Sequence, residues 1–136
     1  MIIRSISGVR ALTPSHINID SMCIYARALH IHLEEGLVFI GRDTRPSGDE
    51  LLEAFTNELV RLGRDVIICG IVPTPTVQFM IERSEAAGGV IITASHNPIE
   101  WNGLKFLDKD GCFINKDKMH IEEAFVYLVY KTLQIV

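Results

Sequence analysis

Leu37-Val38-Phe39-Ile40, Val66-Ile67-Ile68-Cys69 and Gly89-Val90-Ile91-Ile92-Thr93-Ala94 are the three apolar runs whose reading decides the fold. They lack period-two alternation and are rich in Val and Ile, as expected of strands covered on both faces. Between the first two, Ser47 is placed to cap a helix, and Glu50 three residues on completes a capping box. Leu51, Leu52, Phe55, Leu59 and Leu62 then form one apolar stripe, and Gly63 supplies the stop. Between the second and third runs, Pro75 suits a first helical turn, and Val77, Phe79, Met80 and Ile81 follow in a short helix. Strand–helix–strand–helix–strand predicts two right-handed crossovers building a parallel sheet.

Working outward, Asp20 is placed to cap an earlier helix. Met22, Tyr25, Ala26, Leu29 and Leu33 would face the core, and Gly36 would close it. Ile2-Ile3-Arg4-Ser5-Ile6 alternates like an extra strand. Downstream, Leu104-Lys105-Phe106-Leu107 and Cys112-Phe113-Ile114 flank Asp108-Lys109-Asp110-Gly111, which reads as a hairpin. Asn115 is placed to cap a last helix running toward Tyr130. No linker, repeat or low-complexity segment interrupts the chain. The expected architecture is a single three-layer α/β/α domain, residues 1–136, with a mixed, mainly parallel sheet.

The composition agrees with one soluble globular domain. The chain has 136 residues, 48% hydrophobic and 22% charged, with a net charge of −4. That balance advertises neither nucleic acid nor an anionic membrane as a partner. Cys23, Cys69 and Cys112 are odd in number and widely spaced, which excludes a disulfide framework and a CxxC-type zinc site. The reducing cytoplasm is the expected compartment. No basic, apolar, small-residue leader opens the chain, and no apolar stretch is long enough to span a bilayer.

In open α/β sheets ligands gather at the carboxyl ends of the strands, so the segments after the three runs carry the chemistry. They are Gly41-Arg42-Asp43-Thr44-Arg45-Pro46-Ser47-Gly48, Gly70-Ile71-Val72-Pro73-Thr74-Pro75-Thr76 and Ser95-His96-Asn97-Pro98. Ser95 ends an apolar strand in a turn forced by Asn97-Pro98, which turns a hydroxyl toward the ligand crevice. A serine that accepts and donates a phosphoryl group needs cations around it, and Arg10, Arg42, Arg45 and Lys105 could supply them. An ordinary polar turn is the competing reading. A hydrolase-type Ser–His dyad is disfavoured, because neighbouring side chains on a strand point to opposite faces.

Thr93-Ala94-Ser95-His96-Asn97-Pro98, followed by Trp101-Asn102-Gly103-Leu104-Lys105-Phe106, resembles the phosphoserine loop of the α-D-phosphohexomutases. These include phosphoglucomutase/phosphomannomutase and phosphoglucosamine mutase. Ser7-Gly8-Val9-Arg10, Gly41-Arg42-Asp43-Thr44-Arg45 and Pro73-Thr74-Pro75-Thr76 match the same family in the same order. The resemblance implies an isomerase that moves a phosphoryl group between the 1- and 6-positions of a hexose phosphate. By resemblance Ser95 carries that group, and the phosphoryl would also be a ligand of an essential Mg2+. His96 resembles a histidine contacting substrate or phosphoryl, Lys105 a general acid/base and Arg10 an arginine beside the phosphoserine. Ala11 departs from the family's glycine after that arginine.

The resemblance also sets a limit, because family members have four domains and this chain resembles only the first. Domains II to IV, with the aspartate-rich metal loop, the sugar-selecting loop and the phosphate clamp, have no counterpart here. Asp108-Lys109-Asp110-Gly111 is no stand-in for the metal loop, since a DG turn between two apolar runs reads as a hairpin. An EF-hand fails because Phe113 and Lys116 occupy ligand positions. His30 and His32 read as surface residues, Cys69 as a buried core thiol, and Arg42 with Asp43 as a pair fixing their loop. Trp101 could stack on a sugar or pack its turn. Two other functions stay open. One is a domain without turnover that docks on missing domains, suggested by the apolar tail from Phe125 to Val136 and its want of packing partners. The other is a serine phosphotransferase or phosphatase of another family.

Overall fold

The computed structural model describes residues 2–5, 8–115 and 119. The strands are β1 (Ile2–Ser5), β2 (Gly8–Leu12), β3 (Val38–Arg42), β4 (Val66–Ile71), β5 (Gly88–Ile92) and β6 (Trp101–Leu107). The helices are α1 (Ile19–His32), α2 (Gly48–Arg61) and α3 (Thr74–Glu82). One six-stranded sheet has the order β1-β2-β6-β5-β3-β4. The pairs β3–β4 and β3–β5 are parallel. The pairs β1–β2, β2–β6 and β5–β6 are antiparallel. The sheet is therefore mixed as expected but not mainly parallel: two of its five strand pairs are parallel, both within β4-β3-β5.

Helices cover both faces of that parallel part. Phe55 and Leu59 of α2 and Met22, Tyr25, Ala26 and Leu29 of α1 are buried together with Ile40, Val90, Ile92 and Phe106. On the opposite face, Val77 and Ile81 of α3 pack on Phe39, Ile91 and Leu107. The chain leaves β3 toward β4 and returns across β3 to β5, so the strand order reverses between β3 and β5. That reversal is the topological switch point where such sheets bind ligands. Among the described residues no helix is long and apolar enough to cross a membrane.

Several local expectations are corrected. The cap of α1 is Asn18, not Asp20: its side chain accepts from the Ser21 N–H at 2.9 Å, and Ser21 Oγ accepts from the Asn18 N–H at 2.9 Å. Ser47 makes no capping bond and sits in helical geometry. Its hydroxyl is taken instead by the buried Asn102, whose Nδ2 donates to it at 2.8 Å. Gly63 does close α2, at a φ of 93° that favours glycine.

The second apolar run is also not covered on both faces. β4 is an edge strand, and Ile67 and Ile68 are 45% and 52% exposed on it. Of its residues, Val66 packs against the α1–α2 core and Cys69, half-buried rather than fully buried, against the α3 cluster. Phe79 and Met80 of α3 are exposed too. Apolar composition reports what a strand would bury, and an edge position leaves part of it uncovered.

The Asp108–Gly111 turn forms, with Gly111 N–H donating to the Asp108 carbonyl at 3.0 Å. Its return is a single bridge from Leu107 to Phe113, beyond Leu104 where the pairing of β6 with β2 ends. Strand β2 was not foreseen, although Val9 and Ala11 turn into the core. Ser7, the helix expected after Asn115 and the apolar tail lie outside the described residues.

Candidate active site

The loops after β3 and β5 meet at the switch point. Ile92 accepts from the Asp43 N–H at 3.1 Å, so the two loops leave adjacent parallel strands side by side. Ser95 lies in the turn that follows β5, with a φ of 55°. A non-glycine residue in that region is uncommon and costs energy, so the surrounding contacts must hold it there. Ser95 and His96 are exposed. They sit in a turn, so the strand argument about opposite faces does not govern them.

The contacts that hold the turn converge on Arg45. Its Nη2 donates to the Ser95 carbonyl at 3.0 Å and to the Asn97 carbonyl at 2.7 Å. Its Nη1 donates to the Pro98 carbonyl at 2.6 Å and to the Trp101 carbonyl at 3.0 Å. Its Nε donates to Asp43 Oδ2 at 3.1 Å. A guanidinium has five N–H donors, and the loop and Asp43 take all of them. Arg45 is thus spent on the loop and has no donor left for a phosphoryl group.

Asp43 pairs with Arg45, not with Arg42 as expected. Arg42 turns to Asp49 at 3.9 Å and to the carbonyls of Asp43 and Arg45. Asp43 Oδ2 also accepts from the Thr93 hydroxyl at 2.7 Å, and Thr93 Oγ1 accepts from the Ser95 N–H at 3.0 Å. Thr93 and Asn102 were not singled out from the sequence. A hydroxyl just before the turn and an amide just after it were the available signals.

Arg10 and Lys105 come from the antiparallel half of the sheet. Arg10 stands opposite Gly103 on β6, and Lys105 lies two residues further along, on the same face. Arg10 Nη1 donates to Asn97 Oδ1 at 2.8 Å, which ties β2 to the Ser95 turn. Burial pushes the Lys105 ammonium below the ordinary lysine range, and the Arg10 charge adds to it. Lys105 Nζ also lies 5.7 Å from the centre of the Phe113 ring. The structure thus joins Arg10 to the Ser95 turn and Lys105 to Arg10. His96 makes no hydrogen bond or ion pair with the described residues.

The other histidine expectation changes as well. His30 is half-buried, and its Nδ1 accepts from Arg64 Nε at 2.9 Å. Trp101 is half-buried at the start of β6, where its backbone serves the turn.

The family profile described as phosphoglucomutase/phosphomannomutase, alpha/beta/alpha domain I, matches residues 3–127. The chain belongs to this family. A phosphoglucomutase/phosphomannomutase of Thermococcus kodakarensis is 45% identical over 94 residues, covering 69% of this chain and 21% of that protein. A phosphoglucosamine mutase of Clostridioides difficile is 39% identical over 121 residues, covering 85% of this chain and 27% of that protein. The solved structure of a Thermus thermophilus protein assigned as a phosphomannomutase superposes with a TM-score of 0.80 and 34% identity, over 90% of this chain and 29% of that one. This phosphohexomutase domain I therefore spans 21% and 27% of the curated relatives just described.

Proposed function

We propose that this domain carries the phosphoryl-bearing serine of a phosphohexomutase acting on a hexose phosphate. The observation that supports it most directly is Ser95, an exposed hydroxyl held at a φ of 55° at the switch point of the sheet. In the forward step the bond from phosphorus to Ser95 Oγ breaks and one to a sugar hydroxyl oxygen forms. The attacking hydroxyl loses a proton and the departing Ser95 oxygen gains one, and the Lys105 amine, lowered by burial, is the group suited to relay it. The hexose bisphosphate turns round, its other phosphoryl passes to Oγ, and the Oγ proton passes back through Lys105 to the sugar oxygen left behind. Arg10 stabilises charge on the moving phosphoryl, and His96 contacts the phosphoryl or the sugar.

Magnesium, expected from the family resemblance, is not accommodated by these residues alone. Among the described residues no group of three or more His, Cys, Asp or Glu side chains could hold a metal ion. A phosphoryl on Ser95 would supply one ligand, and no step above is routed through the ion.

The chain spans only part of its relatives, which favours a second reading, a domain without turnover by itself. Incubation with glucose 1,6-bisphosphate and magnesium, followed by mass spectrometry, tests the first. A mutase assay on glucose 1-phosphate tests the second, which turnover would defeat. Phosphorylation at Ser95 that disappears in Ser95→Ala supports the phosphoryl carrier. An unmodified Ser95 favours the second reading, and phosphorylation elsewhere with Ser95 bare sinks the first.

A further inference from the structure

We infer that Asp43, Arg45 and Thr93 are positioning residues that set Ser95 for phosphoryl transfer, an inference that rests on the function proposed above. The loop from Thr93 to Glu100 has no strand or helix of its own to fix it. Its conformation depends on side chains reaching it from elsewhere in the fold.

Arg45 supplies most of that. The carbonyls of Ser95, Asn97, Pro98 and Trp101 all turn inward onto one guanidinium. In a trans peptide the C=O and the next residue's N–H point in opposite directions. Turning the Ser95 carbonyl onto Arg45 therefore turns the His96 N–H away from it, toward the outside of the loop. That N–H has no backbone partner among the described residues. The clamp thus draws the loop's acceptors inward and leaves a donor on the outer side, the polarity an anionic group requires.

Asp43 and Thr93 make the clamp directional. Thr93 spends its only proton on Asp43 Oδ2, so its oxygen is left to accept the Ser95 N–H. The same carboxylate holds Arg45 through Nε and through the Arg45 N–H at 3.1 Å. One aspartate therefore fixes both the arginine that takes the Ser95 carbonyl and the threonine that takes its amide. Asp43 is itself anchored by its own N–H to Ile92 on β5. The peptide groups on either side of Ser95 are tied to the two central parallel strands, and a φ that serine disfavours is imposed from outside. A lysine cannot replace Arg45, because an ammonium lacks the planar fork that spans four carbonyls and a carboxylate.

The test compares the wild-type chain with Arg45→Lys, which keeps the charge, and Thr93→Val, which keeps the shape. Three readouts are taken: the urea midpoint, hydrogen exchange at the Ser95, Asn97 and Trp101 amides, and the rate of Ser95 phosphorylation by glucose 1,6-bisphosphate with magnesium. In both variants exchange at the Ser95 amide is expected to rise at least tenfold. The maximal phosphorylation rate is expected to fall at least tenfold, with little change in the bisphosphate concentration giving half that rate. Should Arg45→Lys fail to fold, Thr93→Val decides alone. Wild-type rates in a folded variant with a loosened loop overturn the positioning role and leave the phosphoryl carrier standing. Unchanged exchange overturns the clamp itself. A wild-type chain never phosphorylated at Ser95 defeats the functional reading instead.

Discussion

Arg10 on β2 donates to the side chain of Asn97 at 2.8 Å, across 87 positions of sequence. This bond crosses from the antiparallel half of the sheet to the turn that follows the parallel half. It also places a fixed positive charge where Lys105, on the neighbouring strand, feels it. Replacing Arg10 by Met removes one of the two causes that hold Lys105 down. The Lys105 ammonium should then titrate higher than in the wild type, though still below the ordinary range because burial remains. Side-chain NMR through the alkaline range reads this directly, and an unmoved titration would remove Arg10 as a cause.

The backbone at Ser95 makes a second prediction. Glycine tolerates a φ of 55° at little cost, whereas a β-branched residue does not. Ser95→Gly should leave stability unchanged or raise it by about 1 kcal/mol, while Ser95→Val should lower it by about 1–2 kcal/mol. Urea denaturation of the two variants checks the order. A valine variant as stable as the glycine variant would mean that the turn relaxes out of the left-handed region.

Acid should weaken the domain through His30. Burial and the charges of Arg64 and Arg27 push its pKa below the ordinary histidine value. The folded state therefore favours neutral imidazole, whose Nδ1 can accept from Arg64 Nε. Since the folded pKa lies below the unfolded value of about 6.5, the contribution is complete above that pH and fades as pH falls through the folded pKa. Arg64 also closes the end of α1 by donating to the carbonyls of His30, Leu33, Glu34 and Gly36. Urea midpoints at several pH values between 8 and 5 should fall on the acid side, and His30→Gln should flatten the fall. An equal fall in His30→Gln would assign it to other groups.

Two apolar residues that look alike in the sequence should respond very differently. Phe55 is fully buried between the helices and the sheet, and Ile67 is half-exposed on the edge strand. Phe55→Ala should cost about 3–5 kcal/mol. Ile67→Ala should cost about 1 kcal/mol or less, since only part of its surface leaves water on folding. Comparable losses in denaturant unfolding would show that β4 is not an open edge.

Much of this was legible along the chain. The strand–helix–strand–helix–strand order follows from apolar runs separated by an amphipathic stripe, because burial forces those periods locally. The positions of Ser95, Arg10 and Lys105 as candidates followed from motif order. The partners of the polar groups were not legible. Asp43 could equally have paired with Arg42, and Ser47 looked like a cap until Asn102 took its hydroxyl. Ser47 is claimed by a group 55 positions along the chain, and Asp43 chooses between two neighbouring arginines because the distant Ser95 loop holds Arg45 beside it. The edge position of β4 was hidden for the same reason, since a strand's composition does not say which neighbours it will have.

The sequence by itself determined the class of fold, the covering helices of β3 and β5, and the turn that exposes a serine at the end of β5. These follow from periodicity, caps and breakers acting within a dozen residues. Only the tertiary structure decided that Arg45 is consumed by the loop carbonyls, that Arg10 reaches Asn97, and that burial with Arg10 lowers Lys105. Donor geometry and charge act through space, and these distances are fixed only when β2 and β6 close onto the parallel strands.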